Sequence, residues 1–272
     1  MKKYLLLFVL IACCWQAEAQ PHSLVKSWET DSVFRTPESV LYDAKANILY
    51  VSNMDPDHPG LGSIGKLSPD GKTATADWVK GLTSPKGMGI YRNMLYVAEL
   101  TDVAVIDIEK ATIVKRIPVE GAAFLNDISI DKKGTVYVSD SRTLKIHRIE
   151  KGIVGTLVAN LQGPNGLLAV GDDLLVLDKG SLIRITAGGQ VGSVATGMDP
   201  TTDGVEEVRN NEYIVSGWNG VLYYIGADGN RQTLLDTRPA KINSADIGYD
   251  PKRRMVYVPT FFSNKVVAYE LK

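Results

Sequence analysis

Leu125-Asn126-Asp127-Ile128-Ser129-Ile130-Asp131, then Lys132-Lys133-Gly134, then Thr135-Val136-Tyr137-Val138-Ser139-Asp140 is the stretch that decides the fold. Apolar β-formers on either side of a short polar turn with glycine predict two antiparallel strands. The same unit recurs along the chain. Other copies open at Pro37-Glu38-Ser39-Val40, Pro85-Lys86-Gly87-Met88, Pro164-Asn165-Gly166-Leu167, Thr202-Asp203-Gly204-Val205 and Ala245-Asp246-Ile247. The leading positions 38, 86, 126, 165, 203 and 245 are spaced by 48, 40, 39, 38 and 42 residues. Strands repeating with such a period predict a propeller.

Two further strands follow in most copies. Ile64 to Leu67 and Thr73 to Val79 flank the turn Ser68-Pro69-Asp70-Gly71-Lys72, and Tyr223 to Ile225 and Gln232 to Leu235 flank Ala227-Asp228-Gly229. Four antiparallel strands make a blade, so the expected fold is all-β, a six-bladed β-propeller. Residues 264–271 supply only a third strand to the last blade. Ser23-Leu24-Val25-Lys26-Ser27-Trp28 can supply the fourth from the other end, closing the ring and pairing two exposed edges. Residues 20–272 then form a single domain.

Residues 1–19 read as a secretory signal. Lys2-Lys3 precede an apolar run from Tyr4 to Ala12, and Ala17-Glu18-Ala19 is a small-x-small cleavage site. The run is too short for a stable membrane span. Leu10-Ile11-Ala12-Cys13 also resembles a lipobox, which would leave a lipoprotein anchored to a membrane at Cys13. Either way the chain is expected to be exported, as a periplasmic or secreted protein. Both cysteines, Cys13 and Cys14, lie in this segment, so cleavage after Ala19 leaves no thiol for catalysis or disulfides. It also removes Lys2, Lys3 and Glu18, taking the formal charge from −1 to −2. Nothing in that balance points to a nucleic-acid partner.

Some motifs are louder than their context allows. Gly60-Leu61-Gly62-Ser63-Ile64-Gly65-Lys66 fits two phosphate-loop patterns, but Leu67 stands where a P-loop needs Ser or Thr. A strand and turn follow instead of the helix that would supply phosphate donors, so no nucleotide is expected. His22, His58 and His147 do not pair at metal spacing. Asn53-Met54-Asp55-Pro56-Asp57 starts like a calcium loop but lacks the later Gly and Glu.

The six leading residues carry the chemistry. In a propeller the first strand of each blade lines the channel, so Glu38, Lys86, Asn126, Asn165, Asp203 and Ala245 are expected at one mouth. Four of them offer hard oxygen donors, a set that suits calcium, magnesium or manganese, with zinc a further option. Singly, each could be an ordinary strand-starting Asn or Asp; four at equivalent repeat positions argue for a site. Second strands end on the same face. That puts Asn53, Glu99, Asp140, Asp178, Trp218 and Phe261 at the rim, where the two aromatic residues would stack on a ring-shaped ligand or cap the core between blades.

Pro37-Glu38, Asn126-Asp127 with Asp131-x-x-Gly134-x-x-Tyr137-Val138-Ser139-Asp140, Pro164-Asn165-Gly166 and Asp203-Gly204 together resemble the senescence-marker-protein/gluconolactonase (regucalcin-like) family across nearly the whole mature chain. The resemblance implies one divalent cation, calcium first, held by Glu38, Asn165 and Asp203. It implies Asn126 as a substrate or water contact and Asp203 as the base. The implied activity is hydrolysis of a sugar lactone or related ester. Two residues depart from the pattern. Phe124 stands where family lactonases often carry Arg, and Lys86 enters the ring, where it would contact an anionic substrate or take the cation's place. Both departures fit the alternative, a non-catalytic propeller that binds a small molecule or protein partner at its mouth.

Overall fold

The computed structural model describes residues 21–272. Residues 1–19, the expected signal segment, and with them Cys13, lie outside the described residues. Six four-stranded antiparallel sheets stand in a ring. Their inner strands are Pro37–Asp43, Met88–Tyr91, Leu125–Ile130, Pro164–Val170, Thr202–Arg209 and Gly248–Asp250, from blades one to six. The expected six-bladed β-propeller is the observed architecture.

The ring closes through the last blade. Leu24–Glu29 pairs antiparallel with Val266–Leu271, with Leu24 opposite Leu271 and Glu29 opposite Val267. Backbone bonds extend the seam at both ends, from Lys272 N to Ser23 O and from Thr30 N to Val266 O. Trp28 Nε1 donates to Pro69 O and so ties the closing strand to blade one.

The core is divided among the junctions between blades. Six apolar clusters are buried, one at each junction. Between blades one and two, for example, Tyr50 and Ile64 pack on Leu95, Val97 and Ile106. Alternation along each strand sends one set of side chains to each neighbouring blade, so both sheet faces are covered.

The inner strands depart from simple alternation where they begin. Register shifts fall between Pro37 and Ser39, Leu125 and Ile128, Pro164 and Leu167, and Thr202 and Val205. Such a bulge leaves an N–H without a ladder partner. In blades one, three and five a second-strand serine accepts it: Ser39 N bonds Ser52 Oγ, Asp127 N bonds Ser139 Oγ and Gly204 N bonds Ser216 Oγ, each at 2.9 Å.

In blades two and six the regular strand starts later than the repeat predicts. Gly87 N instead bonds Asn126 O, and Asp246 bonds Glu38 O and Val40 N. These hydrogen bonds run sideways to the next blade.

Candidate functional site: the channel mouth

The loop leading into each inner strand is held by a buried side chain at the end of the second strand. Asn53 Oδ1 accepts from Arg35 N, and Glu99 accepts from Thr83 N with both carboxylate oxygens. Asp140 accepts from Ala123 N, Phe124 N, Arg142 N and Thr143 N, and Asp178 from Gln162 N and Gly163 N. These four rim positions are thus buried fasteners; Asn53 and Asp140 are fully buried. Their acceptors take backbone N–H groups, with Glu99 Oε2 also accepting from Arg116 Nη1, and they fix the loops that carry the mouth residues. The fragment 53–57 is likewise committed to structure: Asp55 pairs with Arg35 and His58. Gly62–Leu67 is the third strand of blade one.

On this frame the leading residues come together. Glu38, Lys86 and Asp203 are buried at 6%, 2% and 3% exposure, and Asn126 at 9%. Asn165 Nδ2 donates to Asp203 Oδ1 at 2.8 Å. Asn126 Nδ2 donates to Ser141 Oγ, which donates in turn to Pro164 O. Ala245 is fully buried and brings no polar side chain to the ring.

The electrostatics are those of crowded carboxyls. Burial lifts the Glu38 carboxyl well above its usual range; Asp203 and Asp246 add to the lift and Lys86 opposes it. Burial also lifts Asp203, with Asp246 adding and the Asn165 hydrogen bond opposing. Burial lowers the Lys86 ammonium, while Glu38 and Glu99 hold it up.

Two atoms test the fit of a cation. Glu38 Oε2 and Asn165 Oδ1 are buried and have no hydrogen-bond partner. Unpaired buried acceptors are costly, and both belong to the proposed ligand set. Hard oxygen donors of this kind fit a divalent cation. Among the described residues no three His, Cys, Asp or Glu side chains group for a metal, so the set depends on the amide of Asn165.

The channel holds a second tier that the leading positions alone do not reveal. A cavity of ≈180 Å³ is lined by Ser39, Leu41, Asp127, Ser129, Glu206 and Asp246, among others. Asp127 accepts from Ile128 N and Leu167 N, both at 2.6 Å, and burial raises its carboxyl, with Asp246 adding to the rise. Burial pushes Asp246 up to about 7, against the Ser39 hydrogen bond. Burial, with help from Asp246, pushes Glu206 up to about 8. One sequence signal does mark Asp127 and Asp246. Gly87 and Gly204 stand one blade earlier, and a side chain at either would fall on the following Asp carboxylate.

The rim is aromatic on one side. Trp218 meets Phe261 edge-on at 5.4 Å and Phe262 at 6.0 Å. Phe261 has φ 48, a left-handed conformation that costs a bulky side chain about 1–3 kcal/mol. Phe262, missed in the sequence, is 65% exposed. On the other side the Phe124 ring lies 4.7 Å from Lys86 Nζ and 5.5 Å from the Arg142 guanidinium carbon.

No protein-family model and no curated protein matches the chain. Solved structures match its fold. A streptogramin B lyase is 14% identical, covering 93% of this chain and 98% of its own, with a TM-score of 0.64. An auxiliary nutrient binding protein from Bacteroides ovatus is 10% identical over 88% of this chain and 70% of its own, with a TM-score of 0.69. The extracellular domain of the one component system BT4673 from B. thetaiotaomicron is 18% identical over 86% of this chain and 33% of its own, with a TM-score of 0.58. At these identities the likeness is one of fold, and it places the chain among the propeller proteins.

Proposed function

We propose that the mouth binds a divalent cation and a small molecule, and that the protein is an exported metal-dependent hydrolase of the gluconolactonase type acting on a sugar lactone or related ester. One observation carries this reading: Glu38 Oε2 and Asn165 Oδ1 are buried without partners beside Asp203. Glu38, Asn165 and Asp203 would hold the cation, calcium first, with zinc, magnesium or manganese as alternatives. A bound cation supplies Lewis-acid polarisation of a carbonyl oxygen.

The remaining work falls to side chains. Asp203 takes a proton from the attacking water. Asn165 orients that carboxylate through its 2.8 Å hydrogen bond. Asn126 and Lys86 contact the substrate, and Trp218 and Phe261 stack on its ring. Export rests on the leader-like residues 1–19, and an extracellular domain is among the fold's neighbours.

A second reading is a non-catalytic binder, and Lys86 is the observation that favours it. An ammonium buried among the candidate ligands can occupy the cation's place. A nutrient binding protein is also among the neighbours. Elemental analysis of purified protein, followed by a lactone panel with and without chelator, tests both. Stoichiometric cation and chelator-sensitive turnover are expected. No cation at millimolar concentration, with indifference to chelator, would overturn the hydrolase in favour of the binder.

A further inference from the structure

We infer that the mouth is divided into an anion-binding wall and an aromatic wall, and that its ligand is a cyclic organic carboxylate. The inference rests on the reading of the mouth as the ligand site and names the ligand class that the site selects. Ring order sets the walls. Blade two lies opposite blade five, and blade three opposite blade six. Lys86 comes from blade two and Phe124 and Arg142 from blade three, whereas Trp218 comes from blade five and Phe262 from blade six.

The cationic wall keeps hydrogen-bonding capacity, although Glu38 and Glu99 both act on the buried Lys86 ammonium. Lys86 Nζ donates to Ser84 O at 3.1 Å and Ser84 Oγ at 3.0 Å, which leaves one of its three N–H groups free. Among the described residues no carboxylate lies within 4.0 Å of it. Lys86 acts on Glu38 through its charge but gives its hydrogen bonds to Ser84, so Glu38 Oε2 stays unpartnered. Arg142 is exposed and its guanidinium also lacks a carboxylate partner among the described residues. Its backbone is nevertheless fixed, because Arg142 N bonds Asp140 Oδ1 at 3.1 Å. Phe124 lies against both cations, the buried Lys86 ammonium and the exposed Arg142 guanidinium.

The facing wall has no charge to offer. Trp218 and Phe262 meet edge-on, so ring faces remain for stacking. A small inorganic anion would leave these rings unused, and a ring without a charged group would leave the exposed Arg142 guanidinium unanswered, so a lactone or ester taken by this mouth would itself carry a carboxylate. A carboxylate joined to a ring satisfies both walls, the usual division of labour in ligand sites.

The test is calorimetric titration of the full mature protein, in chelator, with 2-naphthoate, its uncharged amide and acetate. Naphthoate should bind at least about tenfold more tightly than naphthamide or acetate, the difference a charge-assisted hydrogen bond provides. Arg142→Gln, an exposed change, should erase the preference for the carboxylate while leaving the amide's affinity alone. Phe262→Ala should weaken naphthoate and naphthamide together. Equal affinity of wild-type protein for naphthoate and naphthamide, or no binding up to about 10 mM, overturns the inference. So does an Arg142→Gln protein that keeps full discrimination. A separate cation titration of the same preparation keeps the two readings apart. Cation uptake without carboxylate preference defeats only the divided mouth; the reverse result defeats only the cation site.

Discussion

The Asn165 carboxamide donates to Asp203 Oδ1 across 2.8 Å, and in doing so leaves its own Oδ1 buried without a donor. The pair therefore presents an amide oxygen and a carboxylate from adjacent blades to one space.

Asp203→Asn should preserve the shape of that space and remove the proposed base. Turnover of a lactone substrate should fall about 10²–10⁴-fold, with substrate affinity changing far less; steady-state kinetics separates the two. Glu38→Gln should instead weaken cation affinity, and excess cation should restore part of the rate.

The channel carboxyls make stability depend on pH. Asp246 and Glu206 rise from 3.8 and 4.5 to about 7 and about 8. The folded state thus binds more protons than the unfolded chain between those values, and stability falls as pH rises through them. Thermal melts of chelated protein should show full stability near pH 4 and a decline to about pH 8. Glu206→Gln should flatten the upper part of that decline. A melting temperature that rises from pH 5 to pH 8 would refute the assignment.

Asp140→Ala should be more damaging than removing a surface carboxylate. Four backbone N–H groups lose their acceptor at once. A loss of roughly 3 kcal/mol is expected in urea denaturation. Asp140→Asn, which keeps one acceptor oxygen, should lose less.

Deleting residues 20–29 should lower the melting temperature sharply. The truncation removes the whole strand Leu24–Glu29 that pairs with Val266–Leu271, leaving only the Thr30 bonds to Val266, and exposes a sheet edge. A truncated protein as stable as the parent would show that the seam contributes little.

Gly87→Ala should destabilise the protein by about 1–3 kcal/mol, because the added methyl group would fall on the Asp127 carboxylate and the Asn126 backbone. Gly121→Ala meets nothing nearby but carries φ 74, so it separates backbone strain from crowding in the same melts.

The architecture was legible because each blade repeats the same local instructions. The strand pair beginning at Leu125 predicts its own turn, and the missing fourth strand of blade six points to Leu24–Glu29. The leading ring was legible for the same reason. Asp127 and Asp246 are marked only indirectly, by Gly87 and Gly204, because alternation assigns them away from the channel. The strand-start bulge in blade three and the sideways pairing of Asp246 turn both inward. Glu206 reads as an ordinary polar strand residue, and its neighbours become apparent only when the ring closes. The rim positions Asn53, Glu99, Asp140 and Asp178 were placed correctly along the chain, but their role is to hold loops.

Those fasteners have a consequence for how such a mouth can change. Asn53, Glu99, Asp140 and Asp178 each clip a loop to its own blade. Side chains such as Phe124 and Arg142 can then be exchanged without disturbing the clip, which uses only their backbone N–H groups. The loops on this ring are modular: the side chains of one can change while the others, and the blades beneath, need no adjustment.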